Sequence, residues 1–266
     1  MIRLSTNSFS WNTTYNKGLD ELTPVGLCRK AAGCGAEGIE IDPTRVTAEQ
    51  LNDCGLCLSG GSTGGPLYDN WTAADADKVV ATAADVKAIG GEYVFFTAAP
   101  KGGWGAHEPV TGEDLAVAGE RFNALASRVV AEGVALGLHN HAACPEGLAA
   151  ELALVRDHVD PALIGLYLDI GWAFCSEGDP AAIVRGFGER CMGFHFRNHT
   201  ADKAPTETLS EGALDTPEIV DAIIATGYAG WVALELWHRE DVLVTKSMPE
   251  CQTESLAYLR RLFAGA

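Results

Sequence analysis

Four stretches of the chain repeat one plan: an amphipathic segment, a glycine, then a short apolar run. They are "CRKAAGCGAEGIEID", "DVKAIGGEYVFFT", "RVVAEGVALGLHNH" and "IIATGYAGWVALEL". A glycine just past a helix is a C-terminal stop. The apolar runs are too short and too uniformly apolar for half-exposed strands. They fit strands covered on both faces, as in parallel sheets. Helix starts are marked as well. Thr23 precedes Pro24, Thr216 precedes Pro217, and Thr47 with Gln50 spells a capping box. Along "DLAVAGERFNALASRVV", Leu115, Ala118, Phe122, Leu125 and Val129 recur at spacings of three and four, which makes one apolar helix face.

The pattern predicts strands at Arg3–Phe9, Gly38–Ile41, Cys57–Gly60, Tyr93–Thr97, Ala135–His139, Gly165–Asp169, Met192–Phe196 and Val232–Glu235. Eight strands alternating with helices predict an α/β fold, a single (β/α)8 barrel over residues 1–266. An open doubly wound sheet is the alternative. It would carry a Gly-rich phosphate loop after its first strand, and here strand one runs into "NSFSWNTTY".

Composition narrows the function classes. Asp and Glu number 36 against 19 Lys and Arg, for a formal net charge of −17. Such a surface argues against nucleic-acid partners and against docking on anionic membranes. The first residues lack a basic segment followed by an apolar one, and no apolar run approaches the roughly 18 residues of a span. We therefore expect a cytoplasmic protein with reduced thiols among its eight cysteines. Cys54 and Cys57 form a lone C-x-x-C without a second pair, and read as packed thiols.

Polar groups gather where the apolar runs end. Strand two ends in Glu40, strand five in His139, Asn140 and His141, and strand six in Asp169. Strand seven carries His195 and Arg197, and strand eight ends in Glu235, followed by His238. Barrel enzymes place their chemistry at these C-terminal strand ends. Two imidazoles and two carboxylates, His139, Asp169, His195 and Glu235, suit one divalent cation. Mn²⁺ is the first choice, with Co²⁺, Fe²⁺, Mg²⁺ and Zn²⁺ as alternatives. Satisfied polar side chains at a barrel rim are the other reading.

The stretches "LGLHNH", "LDIGWAFCSEGDPAAIV", "ERCMGFHFRNH" and "SEGALDTPEIVDAIIATGYAGWVALELWHRED" resemble the xylose isomerase-like TIM barrels, the sugar phosphate isomerase/epimerase superfamily. The resemblance implies a metal held by groups on strands five to eight. Asp169, His195 and Glu235 match the family positions. His139 stands where a Glu is usual, a form similar to the inosose dehydratase branch. Glu146 in the following loop is a second candidate for that ligand. Trp172 replaces a common His. Arg197 keeps the charge of a common Lys, and Asn198 drops that of a common Asp.

Such a site would polarise a sugar ketone and make its α-proton acidic. An enediolate then leads to isomerisation, epimerisation or dehydration. Glu235 is the first candidate for the base, with His141 or His238 second. His141 fits equally well as a hydrogen-bond support behind a ligand. Glu40, Trp11, Trp104, His107 and Arg197 are candidate contacts to a sugar or keto-sugar substrate. Trp104 and His107 lie in "PKGGWGAHEP", which reads as a lid or as a plain turn. Trp11 suits stacking or the core. A metal-bound imidazole at position 139 is a poor base, which ranks isomerase first, keto-sugar dehydratase or lyase second and epimerase third. A metal-dependent hydrolase and a non-catalytic sugar-binding barrel are the rival classes. Homo-oligomers are compatible with all of these.

Overall fold

The computed structural model describes residues 1–105 and 108–265. Eight parallel strands close a ring in chain order: β1 (Arg3–Asn7), β2 (Gly38–Glu40), β3 (Cys57–Gly65), β4 (Tyr93–Ala98), β5 (Ala135–His139), β6 (Ile164–Asp169), β7 (Cys191–Phe196) and β8 (Trp231–Leu234). β8 pairs back onto β1, with Thr6 opposite Leu234. The fold is the expected (β/α)8 barrel, and the open sheet is set aside.

The surrounding helices are α1 (Pro24–Gly33), α2 (Ala48–Asp53), α3 (Ala73–Ala88), α4 (Gly112–Ala131), α5 (Pro145–Ala153), α6 (Ile170–Cys175), α7 (Pro180–Phe187), α8 (Thr216–Ala225) and α9 (Met248–Ala264). Thr23 caps α1, and the Thr47–Gln50 capping box opens α2. α4 buries Ala118, Phe122, Leu125 and Val129 and packs Leu115 partly against the same core.

Three local expectations are corrected. β1 stops at Asn7, because the Asn7 Oδ1 accepts from Phe9 N at 2.8 Å and turns the chain into a short 3-10 helix. β3 continues to Gly65, pairing Gly65 with Ala98. Its four glycines lack the branched side chains that mark strands. α8 is capped by Asp215, whose carboxylate accepts from Glu218 N at 3.0 Å, and Thr216 becomes the first helical residue.

The barrel interior holds an aromatic layer of Tyr93, Phe95, Tyr167 and Trp231. Phe95 and Tyr167 stack with ring centroids 4.7 Å apart. Glycines provide the room. A Cβ on Gly60 would lie 2.1 Å from the Tyr93 ring, and one on Gly193 would lie 2.2 Å from Tyr167. A phenol buried this deeply must bond its hydroxyl somewhere. Both hydroxyls reach Glu40, at the end of β2.

All eight cysteines are unpaired. Among the described residues, no helix is long and apolar enough to cross a membrane.

Candidate metal centre

Strand register brings the ligand candidates together. Asp169 on β6 lies opposite His195 on β7, and His195 lies opposite Ala233 on β8, two residues before Glu235. His139 closes β5 beside Tyr167. One ligand atom from each of His139, Asp169, His195 and Glu235 lies within 4.8 Å of all the others, and all four residues are buried. His139 Nε2 is 2.9 Å from His195 Nδ1 and 3.6 Å from Asp169 Oδ2. His195 Nδ1 is 3.5 Å from Glu235 Oε2.

These side chains are aimed by partners behind them. His195 Nε2 lies 2.7 Å from Glu40 Oε2 and donates there, which turns Nδ1 toward the cluster. Asp169 uses Oδ1 to accept from Trp172 N at 2.8 Å, which turns Oδ2 inward. Asn140 bonds the Asp169 backbone in both directions. Its Nδ2 donates to Asp169 O at 3.1 Å, and its Oδ1 accepts from Asp169 N at 2.8 Å. The polar run that ends β5 is therefore divided: His139 faces the cluster, Asn140 ties β5 to β6, and His141 lines the cavity.

The donor set fits a divalent ion. Ligand nitrogens and oxygens sit about 2.0–2.2 Å from such a metal, so neighbouring donors around one ion stand some 3–4 Å apart, as they do here. An imidazole backed by a carboxylate is the usual arrangement around a metal. Arg197 also enters the cluster. Its guanidinium touches both Asp169 Oδ2 and Glu235 Oε2.

The charges respond to this crowding. Burial alone would lower the His195 pKa, but Glu235, Glu40 and Asp169 outweigh it and lift it to about 9. Burial holds His139 below the usual imidazole range, partly offset by its bond to Asp169. Burial would raise Asp169, yet Arg197 and the two imidazoles hold its carboxyl well below the usual range. His141 falls to about 3 through burial and the nearby His139 and Arg197.

Other expected site residues stand elsewhere. Glu40 is not among the residues lining the cavity: it is 2% exposed and lies beneath His195. Its carboxylate accepts from Asn7 Nδ2 at 2.7 Å, from Tyr93 Oη at 2.9 Å, and from Tyr167 Oη. Burial would push Glu40 up in pKa, but His195 and the two phenols hold it below the ordinary value. Glu146 is exposed in the first turn of α5 and stays outside the four-residue group. Another carboxylate of that helix serves the loop instead. Buried Glu151 accepts from His141 N at 3.0 Å and Ala142 N at 3.2 Å.

His238 is not brought to the centre. Asn16 Oδ1 accepts from its backbone N–H at 2.7 Å, and its ring groups with Glu207 and Cys251. Trp11 is 3% exposed and packs in the core, though it also lines the cavity. Trp104 stands at the cavity wall and is largely exposed. His107 lies outside the described residues.

Asn7, Tyr93, Tyr167 and Glu151 support the site but were not among the sequence candidates, and Asn140 was noted at the end of strand five without a role. The two tyrosines carried the clearest signal, since a phenol inside a barrel strand needs a partner for its hydroxyl.

The support can be tested directly. Glu40→Gln places an amide N–H against donors and loosens the His195 ring. We expect metal affinity to fall about 10–100-fold, read by competition with a fluorescent chelator, while circular dichroism stays unchanged. Wild-type affinity in a folded variant would remove Glu40 from this role.

With this geometry, the chain joins the sugar-handling barrels. Residues 28–262 match the xylose isomerase-like TIM barrel family, and the chain belongs to that family. Among its relatives, the rhizopine catabolism protein MocC of Rhizobium meliloti is 24% identical over 264 residues, covering 88% of this chain and 81% of the relative. An inosose dehydratase of Lacticaseibacillus casei is 28% identical over 140 residues, and the match spans 46% of each protein. The structure of an L-ribulose 3-epimerase superposes with a TM-score of 0.74 at 20% identity, covering 100% of this chain and 95% of the other. A probable 3-DHS dehydratase from Bacillus anthracis superposes at 0.73 with 15% identity, covering 97% and 98%. At these identities the structural likenesses are of fold. Proteins with this fold thus include both an epimerase and a probable dehydratase.

Proposed function

We propose that this barrel is a divalent-metal-dependent enzyme that removes the proton beside a carbonyl of a sugar or keto-sugar. Aldose–ketose isomerisation is its reaction. One observation carries the reading. Of the four clustered groups, His139 and Glu235 reach the cavity wall, and Glu235 is the carboxylate of that pair. The ion, held by His139, Asp169, His195 and Glu235, would polarise the carbonyl and offset the charge of the enediolate.

The chain's own residues do the rest. Glu235 takes the proton from the carbon next to the carbonyl and returns it to the former carbonyl carbon, while the proton of the neighbouring hydroxyl passes to the former carbonyl oxygen. His139 is poorly placed to act as a second base. Its Nε2 faces the cluster, and its Nδ1 lies 3.4 Å from Thr97 Oγ1. A single base suffices for isomerisation, whereas inversion with reprotonation on the opposite face calls for two.

Dehydration is the second reading. Among the cavity-lining residues, His141 is the imidazole outside the four-residue cluster. The inosose dehydratases among the relatives point the same way. Here Glu235 takes the same proton and passes it to the β-hydroxyl, which leaves as water.

Incubation with ketohexoses, inosose and 3-keto-glycosides in D2O, with Mn²⁺ present, decides between the two. An aldose–ketose pair carrying deuterium at the exchanged carbon supports isomerisation. An unsaturated ketone supports dehydration. No exchange and no product from any of them would sink both.

A further inference from the structure

Two groups of aromatic side chains flank the centre. β8 and β1 are neighbours in the ring, and their loops carry Phe9, Tyr15 and Trp237. Phe9 and Tyr15 stack at 5.4 Å, and Trp237 sits edge-on to Phe9 at 5.9 Å. Trp237 Nε1 donates to Tyr15 O at 3.0 Å. Across the ring, the loops after β4 and β5 carry Trp104 and His141, and α6, directly after β6, carries Trp172. Trp104 lies edge-on to His141 at 5.4 Å, and His141 is 4.5 Å from Trp172. All six line one cavity of about 860 Å³.

That volume lies high in the range of about 300–1,000 Å³ for small-molecule sites, and exceeds what one sugar ring fills. Tyr15 and Trp104 are 53% and 64% exposed, so neither is there to fill the core. Large rings left bare on a cavity rim are binding surfaces by default.

Building on the sugar reading above, we infer that the substrate is a glycoside: a reacting sugar at the cluster, linked to a second ring that stacks on the exposed aromatic rim, on Tyr15 at one side of the cavity or Trp104 at the other. The shared chemistry is a flat ring with an apolar face, supplied by a second sugar or by an aromatic aglycone.

The test is binding to purified protein supplemented with Mn²⁺, by ligand-observed NMR titration. The probes are methyl β-D-glucoside, phenyl β-D-glucoside and cellobiose. At least one two-ring probe should bind about tenfold tighter than the methyl glucoside, and whichever of the two it is identifies the ring. In the Tyr15→Ala/Trp104→Ala double variant, the ratio of two-ring to methyl affinity should fall close to one.

Equal binding of all probes by wild type, or a ratio that survives in the double variant, would each overturn the inference. So would a wild type without ring preference whose oligomeric mass changes in the double variant, since the rim would then be a subunit contact. Turnover is not needed for this readout. A protein that exchanges no substrate proton yet keeps the ring preference loses the enediolate reading and keeps this one.

Discussion

Glu235→Gln should lower turnover by about 10²–10⁴-fold, the range contributed by a positioned base, while the barrel stays folded. Glu235 lies just past the end of β8, its backbone N–H held by Phe196 O at 3.0 Å, and its carboxylate meets the cavity. Glutamine keeps the shape and one oxygen for the ion but cannot take a proton. The variant should therefore retain part of its metal affinity and lose solvent-deuterium exchange into substrate. Measuring both separates the two duties. If exchange continues at the wild-type rate with metal bound, the base is another group, and His141 becomes the first to examine.

Removing the ion should have the second large effect. Two carboxylates and two imidazoles gathered in a buried space, with Arg197 between the acids, are a costly arrangement of polar groups. A cation that binds only the folded chain stabilises it by about 2.7 kcal/mol at a hundredfold excess over Kd. For a chain of this size that is roughly 5–10 °C in the melting midpoint. Dialysis against a chelator should lower the midpoint by this amount and abolish turnover, and Mn²⁺ should restore both. Elemental analysis should find one ion per chain. A midpoint and a turnover rate indifferent to chelation, with no stoichiometric ion, would remove the metal from the reading.

The sequence carried the barrel and its ligand set to different depths. Four strands were legible as short apolar runs behind glycine-stopped helices and the others as apolar runs between helical segments, and β3 was cut short only where glycines replaced apolar side chains. His139, Asp169, His195 and Glu235 were legible because polar residues ending buried strands need a partner. Glu146 and His238 looked equally suitable as chemistry. What removed them was the exact direction taken by the chain after a strand: α5 starts at Pro145 and leaves Glu146 in solvent, while Asn16 draws His238 toward Glu207 and Cys251. Glu40 was found, but its role was not. Its partners Asn7, Tyr93 and Tyr167 come from three other strands, and no local pattern links such distant positions.

The four ligand candidates lie between residues 139 and 235, yet the carboxylate that aims His195 is Glu40, held by Asn7 and Tyr93 from the first hundred residues. Neither half of the chain, taken alone, contains a finished site. The ring must close, with β1, β2 and β4 in register against β6 and β7, before the fourth donor points correctly. Ion capture is thereby tied to completion of the barrel. An ion held tightly certifies that the N-terminal strands, which supply none of its ligands, have reached their places.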